Sequence, residues 1–475
     1  MTDLLPAGSA AHLGAATSAA VNSEEISTLT WASAPTWAFA GAAMVLALMA
    51  PALWNGFPLI FPDTGGYLLR PIEGDLAMGR SALYGLFLYL GIPLSFWPNA
   101  LLQSALTAWL IVLTMRTHGF SGKPWLSLGI VVMLTVCTSL PWFAGQLMPD
   151  IFFFCAVLAL NMLVFRSAQL ATWERYALAA VIVVTIPSHM AAAGMCIGLV
   201  AALWLLTRFK SFAACLPSPR LRLAGIAVAA SIAMAPVSNF AITGTFAFTP
   251  GGSSFLFGRL LEDGIVGRYL NKRCPDPALQ ICSYYRDLPR EADDWLWGND
   301  TAFYKLGGPD GFAGEQSAII RATLMRYPGM HLTSAASAAL EQFVTFKTEV
   351  STHDNDPTIG AFKDNVPRLL PPLMSAEQQN DGIDAGMLNW LHVPVAALTI
   401  AGVGVALIFR RRLSVAPELT ALCLTVVLAL AANAAICGIF SHPVDRYQSR
   451  LVPLAPLAIA LLVARHRREP PALSR

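Results

Sequence analysis

Long apolar runs recur along the chain and limit what it can fold into. Runs such as 37–54, 226–242, 393–409 and 419–439 carry few or no charges. They approach the ~20 residues that an α-helix needs to cross the hydrocarbon core of a bilayer. Only 13% of the residues are charged, against roughly 25% in a typical globular domain. The sequence therefore predicts an all-α polytopic membrane protein.

Two other classes of protein do not fit the composition. A transmembrane β-barrel needs strands that alternate apolar and polar residues, and the sequence contains no such series. The net charge is +2, and basic residues form no cluster beyond the flanks of the apolar runs. No nucleic-acid partner is expected, because nucleic-acid binding requires a concentrated basic surface. Membrane lipid is the expected surrounding.

Basic residues fall in groups between the apolar runs, at 116–123, 166–175, 208–222, 410–412 and 465–468. The positive-inside rule places such groups in the cytoplasm. Counting the crossings between them predicts about ten spans with both termini cytoplasmic. In a bacterium the membrane would be the inner (cytoplasmic) membrane, with a site facing the periplasm. The predicted spans lie near 35–54, 98–115, 124–143, 151–165, 176–188, 190–207, 222–242, 390–409, 417–440 and 451–464.

This topology divides the chain into four parts. Residues 1–33, rich in Ala, Ser and Thr and free of Lys and Arg, are predicted to be a disordered cytoplasmic tail. Residues 34–243 hold spans 1–7, with a catalytic first outer loop at 55–97. Residues 244–389 contain 18 of the 29 acidic residues and are predicted to form one irregular extracytoplasmic domain. Residues 390–475 hold spans 8–10 and a basic tail.

Three further local features are expected. Segment 81–97 is apolar but short, so it is predicted to lie at the outer surface or to dip partway into the bilayer. If it spans instead, the Asp63 loop is cytoplasmic, an alternative that Arg70 and Arg80 favour. Cys274 and Cys282 stand in the polar domain, and a disulfide between them is expected if that domain faces an oxidising compartment. Helices in the domain are indicated at 259–270, 319–327 and 334–346.

Polar residues that could carry chemistry fall at the outer ends of the predicted spans. Asp63 follows the first span in Phe-Pro-Asp-Thr-Gly-Gly-Tyr, and Asp150 lies in the turn before the fourth. Charge at a membrane edge is costly, which favours a functional role for Asp63. The other candidates on this face are Tyr67, His189, Arg259, Glu262, His442, Arg446, Tyr447 and Arg450.

These residue types suit group transfer from a lipid phosphate. A carboxylate can take a proton from a hydroxyl group, and an arginine can hold a phosphate through two parallel hydrogen bonds. Structural roles remain open for the same residues. Asp63 could form an Asx-turn, Asp150 could cap a helix, and Arg446 and Arg450 could anchor the chain at the headgroups.

Four motifs follow one another along the chain: Asp63 in the first outer loop, Ser81-Ala82-Leu83-Tyr84, Asp150 in Met-Pro-Asp-Ile-Phe-Phe-Phe, and Arg446-Tyr447 before a proline-bearing helix. In this order they resemble the GT-C superfamily of polyprenyl-phosphate-dependent glycosyltransferases. The likeness is strongest to the protein O-mannosyltransferases and the bacterial lipid A aminoarabinose transferases. It covers 35–240 and 390–465 and is weaker over 244–389.

The resemblance implies an enzyme that moves a sugar from a polyprenyl-phosphate donor to an extracytoplasmic lipid, glycan or protein acceptor. Asp63 would be the general base or would position the acceptor, and Asp150 would orient the acceptor or hold Asp63. Arg446 and Arg450 would bind the donor phosphate. A divalent metal is allowed as cofactor, but the first loop carries one acid rather than an acidic pair, which argues against tight binding. The remaining candidates would line the cavity.

Other functions fit the same broad pattern. An O-antigen ligase or polymerase would also use a lipid-linked donor, but one that carries a diphosphate. A transporter or flippase for lipid-linked sugars would need charges within the spans and broken helices in matching halves of the chain. A noncatalytic subunit of an envelope-polysaccharide complex would tolerate loss of Asp63, Asp150 and Arg446 together.

Overall fold

The computed structural model describes residues 34–73, 78–210, 214–244, 246–248, 251–350 and 356–468. The predicted tail at 1–33 lies outside the described residues. In the described ranges the regular elements are all helices and no strand is present, as the sequence predicts. One isolated parallel β-bridge pairs Leu59 with Gln146.

The first half of the described chain contributes ten α-helices. They are α1 (Ala34–Asn55), α2 (Thr64–Glu73), α3 (Ala82–Gly91), α4 (Trp97–Thr117), α5 (Pro124–Cys137), α6 (Leu140–Ala144), α7 (Ile151–Phe165), α8 (Thr172–Ser188), α9 (Ala191–Leu206) and α10 (Leu221–Thr243). The short apolar segment predicted at 81–97 is α3 followed by a 3₁₀ turn at Ile92–Leu94.

The second half of the described chain contributes thirteen more α-helices. They are α11 (Gly252–Glu262), α12 (Ile265–Arg273), α13 (Ala292–Trp297), α14 (Ala302–Lys305), α15 (Gly308–Gly311), α16 (Ala313–Arg326), α17 (Pro328–Val344), α18 (Asp356–Asn365), α19 (Leu370–Met374), α20 (Ala385–Ile408), α21 (Pro417–Phe440), α22 (Asp445–Ser449) and α23 (Leu454–Arg468).

A helix occupies each of the ten predicted spans. Six helical segments of the described chain are long and apolar enough to cross a membrane: Ala34–Asn55, Trp97–Thr117, Leu221–Ile242, Ala385–Ile408, Pro417–Phe440 and Asp445–Arg467. Their number makes the chain a multi-pass membrane protein. The count of ten crossings stays a prediction, because the other helices at the predicted positions are shorter.

Helix α7 lies at the centre of the bundle. Every residue from Ile151 to Phe165 is buried, as expected of a helix that is apolar on all sides. It packs against α4, α8, α10 and α21. Asp150 immediately precedes this helix and is fully buried, so the fold places its carboxylate deep in the protein.

Residues 251–326 build a small helical unit with its own core around Phe257, Trp295 and Phe303. The helix predicted across 259–270 is divided in two at Gly264, whose φ of 71° lies in the left-handed region that favours glycine. Cys274 and Cys282 form the expected disulfide, with Cα atoms 5.4 Å apart.

The helices that follow this unit, at 328–365, pack against the membrane helices and the first loop. Helix α17 packs along α21, and α18 packs on α2. Phe362, Val366 and Leu373 join the main core of the bundle. This packing brings residues near position 360 against the loop that carries Asp63.

Candidate functional site

The loops that carry the two candidate acids lie side by side. The amide of Leu59 donates to the carbonyl of Gly145 at 3.0 Å, and the amide of Leu147 donates to the carbonyl of Leu59 at 2.7 Å. Asp63 and Asp150 follow these paired segments closely in the chain. The short backbone pairing therefore fixes both acids at the same end of the bundle.

Two glutamine side chains hold these loops in place. Gln378 accepts from the amide of Ile60 at 2.9 Å and donates to its carbonyl at 3.1 Å. It also donates to the carbonyl of Val350 at 2.6 Å. On the other side, Gln103 donates to the carbonyl of Gln146 at 2.7 Å. Because these groups are buried, their satisfied hydrogen bonds restrict movement of the loops.

Asp63 lies between two guanidinium groups. Arg446 Nη1 is 2.9 Å from Asp63 Oδ2, and Arg80 Nη2 is 2.5 Å from Asp63 Oδ1. Burial alone would raise the pKa of Asp63, but the charges of Arg80 and Arg446 outweigh it and lower the pKa to about 2. The carboxylate is therefore ionised at neutral pH.

A second ion pair lies deeper in the protein. Arg450 Nη1 is 2.9 Å from Asp150 Oδ1, and both side chains are 0% exposed. Arg450 also donates to Asn433 Oδ1 at 3.0 Å, and its guanidinium carbon lies 3.4 Å from the ring centre of Phe153. Burial opposes ionisation of Asp150, but the arginine charges around it outweigh burial and lower its pKa.

Arg446 connects the two pairs. Besides its contact with Asp63, its Nε is 3.9 Å from Asp150 Oδ1. Its guanidinium carbon also lies 4.2 Å from the ring centre of Phe61. The result is an alternating series of charges, Arg80–Asp63–Arg446–Asp150–Arg450. These five described residues comprise three arginines and two aspartates.

A cavity of about 390 Å³ opens onto the outer part of this series. Of the predicted residues, five line it: Asp63, Tyr67, His189, Arg446 and Tyr447. Apolar residues of α9 and α21 also line it, among them Ala191, Gly194, Ile436 and Phe440. The cavity lining thus combines charged side chains with apolar residues of two helices.

His189 lies in the short link between α8 and α9 and faces the edge of Phe153, with ring centres 5.1 Å apart. Its pKa falls to about 3, first because of burial and then because of the nearby positive charge of Arg450. The imidazole is therefore neutral at pH 7. A neutral imidazole can accept or donate a hydrogen bond in the cavity without adding charge.

Five predicted candidates are not among the described residues that line the cavity: Asp150 and Arg450, which pair with each other, and Arg259, Glu262 and His442. Arg259 pairs with Glu262 at 3.2 Å and with Asp263 at 2.6 Å, within the first turns of the small helical unit. His442 Nε2 is 3.4 Å from Asp293 Oδ2. Arg259, Glu262 and His442 are not among the described residues that line the cavity, so the structure does not bring them to Asp63.

Arg80 was not among the predicted site residues, yet it lines the cavity and pairs with Asp63. Its guanidinium carbon also lies 5.4 Å from the ring centre of Trp297. One signal was available. An arginine in a segment assigned to the outer side departs from the positive-inside rule, so it needs a local reason.

The described residues do not offer a fitting metal site. No group of three or more His, Cys, Asp or Glu side chains is gathered among them. The two acids nearest the cavity, Asp63 and Asp150, both have guanidinium partners. A divalent cation would have to displace those partners, so no step is assigned to a metal.

Fold and site together define a multi-pass membrane protein, helical in its described regular elements, with a cavity in which two arginines hold a carboxylate. Comparison with known proteins adds no narrower class, since no protein-family model, curated protein or solved structure matches the chain.

Proposed function

We propose that the protein is an integral-membrane glycosyltransferase that uses a polyprenyl-phosphate sugar donor, as the GT-C resemblance implies. One observation carries the proposal: Asp63 lies between Arg80 and Arg446 in a cavity that apolar residues of α9 and α21 also line. A polyprenyl-phosphate donor needs positively charged side chains for its headgroup and apolar residues for its lipid chain at adjacent positions. The ten-span topology and the periplasmic orientation of the site belong to the same proposal.

Arg446 and Arg80 are the residues that would bind the donor phosphate. Both reach the cavity, and their side chains are only 7% and 15% exposed. Partial burial strengthens charge-assisted hydrogen bonds to phosphate, since water competes less. Arg450 is buried with Asp150 and is not among the described residues that line the cavity, so its role would be to hold Arg446 and Asp150 in place.

In the proposed reaction, the bond between the sugar carbon and the phosphate oxygen breaks, and the phosphate leaves with the bonding electrons. The acceptor hydroxyl oxygen forms the new bond to the same carbon. Its proton passes to Asp63 or to the departing phosphate. Arginine guanidinium groups stabilise the negative charge that develops on the phosphate.

Asp63 is a weak base while two guanidinium groups hold it, because its pKa is about 2. A bound donor phosphate would compete for the same guanidinium groups. Asp63 would then lose part of its stabilisation, and its pKa would rise. Donor binding would in this way prepare Asp63 to accept the proton from the acceptor or to position the hydroxyl group.

The test is a transfer assay with the full-length protein in liposomes and radiolabelled polyprenyl-phosphate sugars. Wild-type protein should consume a monophosphate donor, and Asp63→Asn should not. Asp293→Asn is the matched control, because Asp293 is an exposed acid that pairs with His442 outside the cavity. It should transfer sugar like the wild type.

Three results would contradict the proposal. Full transfer by Asp63→Asn would remove Asp63 from the mechanism. Consumption of diphosphate donors alone would favour the ligase or polymerase alternative. Movement of intact donor across the vesicle membrane, with no transfer, would favour a flippase.

A further inference from the structure

A second cavity lies between three helices and away from the site described above. Helices α5, α20 and α23 leave a groove of about 600 Å³. Its lining is almost wholly apolar and includes Leu126, Ile130, Met133, Val395, Ile459 and Val463. Two of the three helices, α20 and α23, lie in segments long and apolar enough to span a membrane.

The length of the groove matches one leaflet of a bilayer. Along α23 it is lined from Pro456 to Arg467. At 1.5 Å per residue this stretch measures roughly 17 Å. Half of the hydrocarbon core of a bilayer measures about 15 Å. A single acyl chain therefore fits along the groove from the middle of the membrane to its surface.

A positively charged residue lies at one end of the groove. Arg467 is the one charged residue among the described residues that line it, and it forms no ion pair with a described carboxylate. Lys123, which immediately precedes α5, lies one helical turn before Leu126 and is exposed. Basic side chains at the surface of a membrane attract anionic lipid headgroups.

We propose that this groove binds an anionic phospholipid, with one acyl chain between α5, α20 and α23 and the headgroup phosphate at Arg467. Water does not fill an apolar groove in the hydrocarbon region, so lipid is its natural occupant. The guanidinium group of Arg467, which has no ion pair with a described carboxylate, selects an anionic headgroup over a neutral one. The proposal does not depend on the glycosyltransferase assignment.

Gly129 provides a direct way to block the groove. It lies on the groove wall, and a Cβ atom added to it would meet no atom within 4 Å. A larger side chain at this position would therefore occupy the groove without a clash at its first atom. Gly225 in α10 is equally open and lies outside the groove, so it serves as the matched control.

The experiment titrates the purified full-length protein with phosphatidylglycerol or phosphatidylcholine and measures retained lipid by native mass spectrometry. Wild-type protein should prefer phosphatidylglycerol. Arg467→Gln should lower that affinity about fivefold, the effect of one basic residue near a lipid surface. Gly129→Phe should weaken binding of both lipids, whereas Gly225→Phe and Arg411→Gln should behave like the wild type.

Equal affinity for the two lipids, or unchanged binding in both groove variants, would overturn the proposal. So would a wild-type dimer that Gly129→Phe dissociates, because the groove would then hold a second copy of the chain. If Gly129→Phe fails to fold, a phosphatidylglycerol with a diazirine in its acyl chain gives a second test on wild-type protein. Cross-links at 124–137 or 454–468 support the site, and their absence from both ranges counts against it.

Discussion

Arg446 donates a 2.9 Å hydrogen bond to Asp63 although 383 positions separate the two residues in the chain. The contact joins the first loop of the membrane part to the short helix before the last predicted span. As a result, residues from near the beginning and near the end of the described chain line the same cavity. A single loop could supply an acid or an arginine, but this contact supplies both to the same small volume.

Asp63→Asn should separate turnover from donor binding. The substitution removes the carboxylate that competes for Arg80 and Arg446, so the donor should bind as well as before or more tightly. Turnover should fall by about 10²–10⁴-fold, the usual contribution of a general acid or base. Steady-state kinetics with varied donor would show a lower kcat and no increase in KM. A large increase in KM with normal kcat would contradict this role.

Arg80→Gln should weaken donor binding without unfolding the protein. Asp63 keeps Arg446 as a partner in this variant, so the buried charge is not left alone. Loss of a charged hydrogen bond to the phosphate should raise KM for the donor by roughly tenfold or more. Arg290→Gln is the control, because Arg290 is an exposed arginine in the small helical unit. A normal KM in Arg80→Gln would exclude Arg80 from phosphate binding.

The pH dependence should differ between the free and the donor-bound protein. Free Asp63 has a pKa near 2, so its active, ionised form is present throughout the range above about pH 3. The value of kcat/KM, which reports the free enzyme, should therefore not fall through protonation of Asp63 down to about pH 4. The profile of kcat should fall at a higher pH, because the bound phosphate draws the guanidinium groups away from Asp63. Identical acidic limbs in both profiles would contradict this exchange of partners.

Asp150 and Arg450 should behave as a coupled buried pair. Removing one partner leaves an uncompensated buried charge, which typically costs about 3–5 kcal/mol. Asp150→Leu and Arg450→Met should each lower thermal stability strongly in detergent. The double variant should be more stable than the sum of the two single effects predicts, because it buries no lone charge. Additive losses would show that the two side chains do not depend on each other.

The positions of the membrane helices could be predicted from the sequence because apolar runs depend only on local composition. Each predicted span contains a helix, and α7 is as uniformly buried as its unbroken apolar sequence indicates. The region 244–389 was harder to predict. Its short helices are stabilised by contacts such as that of Gln378 with Ile60, 318 positions apart, and no local pattern encodes such a partner.

The same division holds for the site. The sequence by itself determined that Asp63, Asp150 and Arg446 fall at the ends of apolar helices, since charge is excluded from hydrocarbon. Only the tertiary structure decided that Arg80 pairs with Asp63 in the cavity and that Arg259, Glu262 and His442 lie outside it. Membership of the cavity depends on where separate loops meet, and the pairing of Leu59 with Gly145 and Leu147 sets that meeting point.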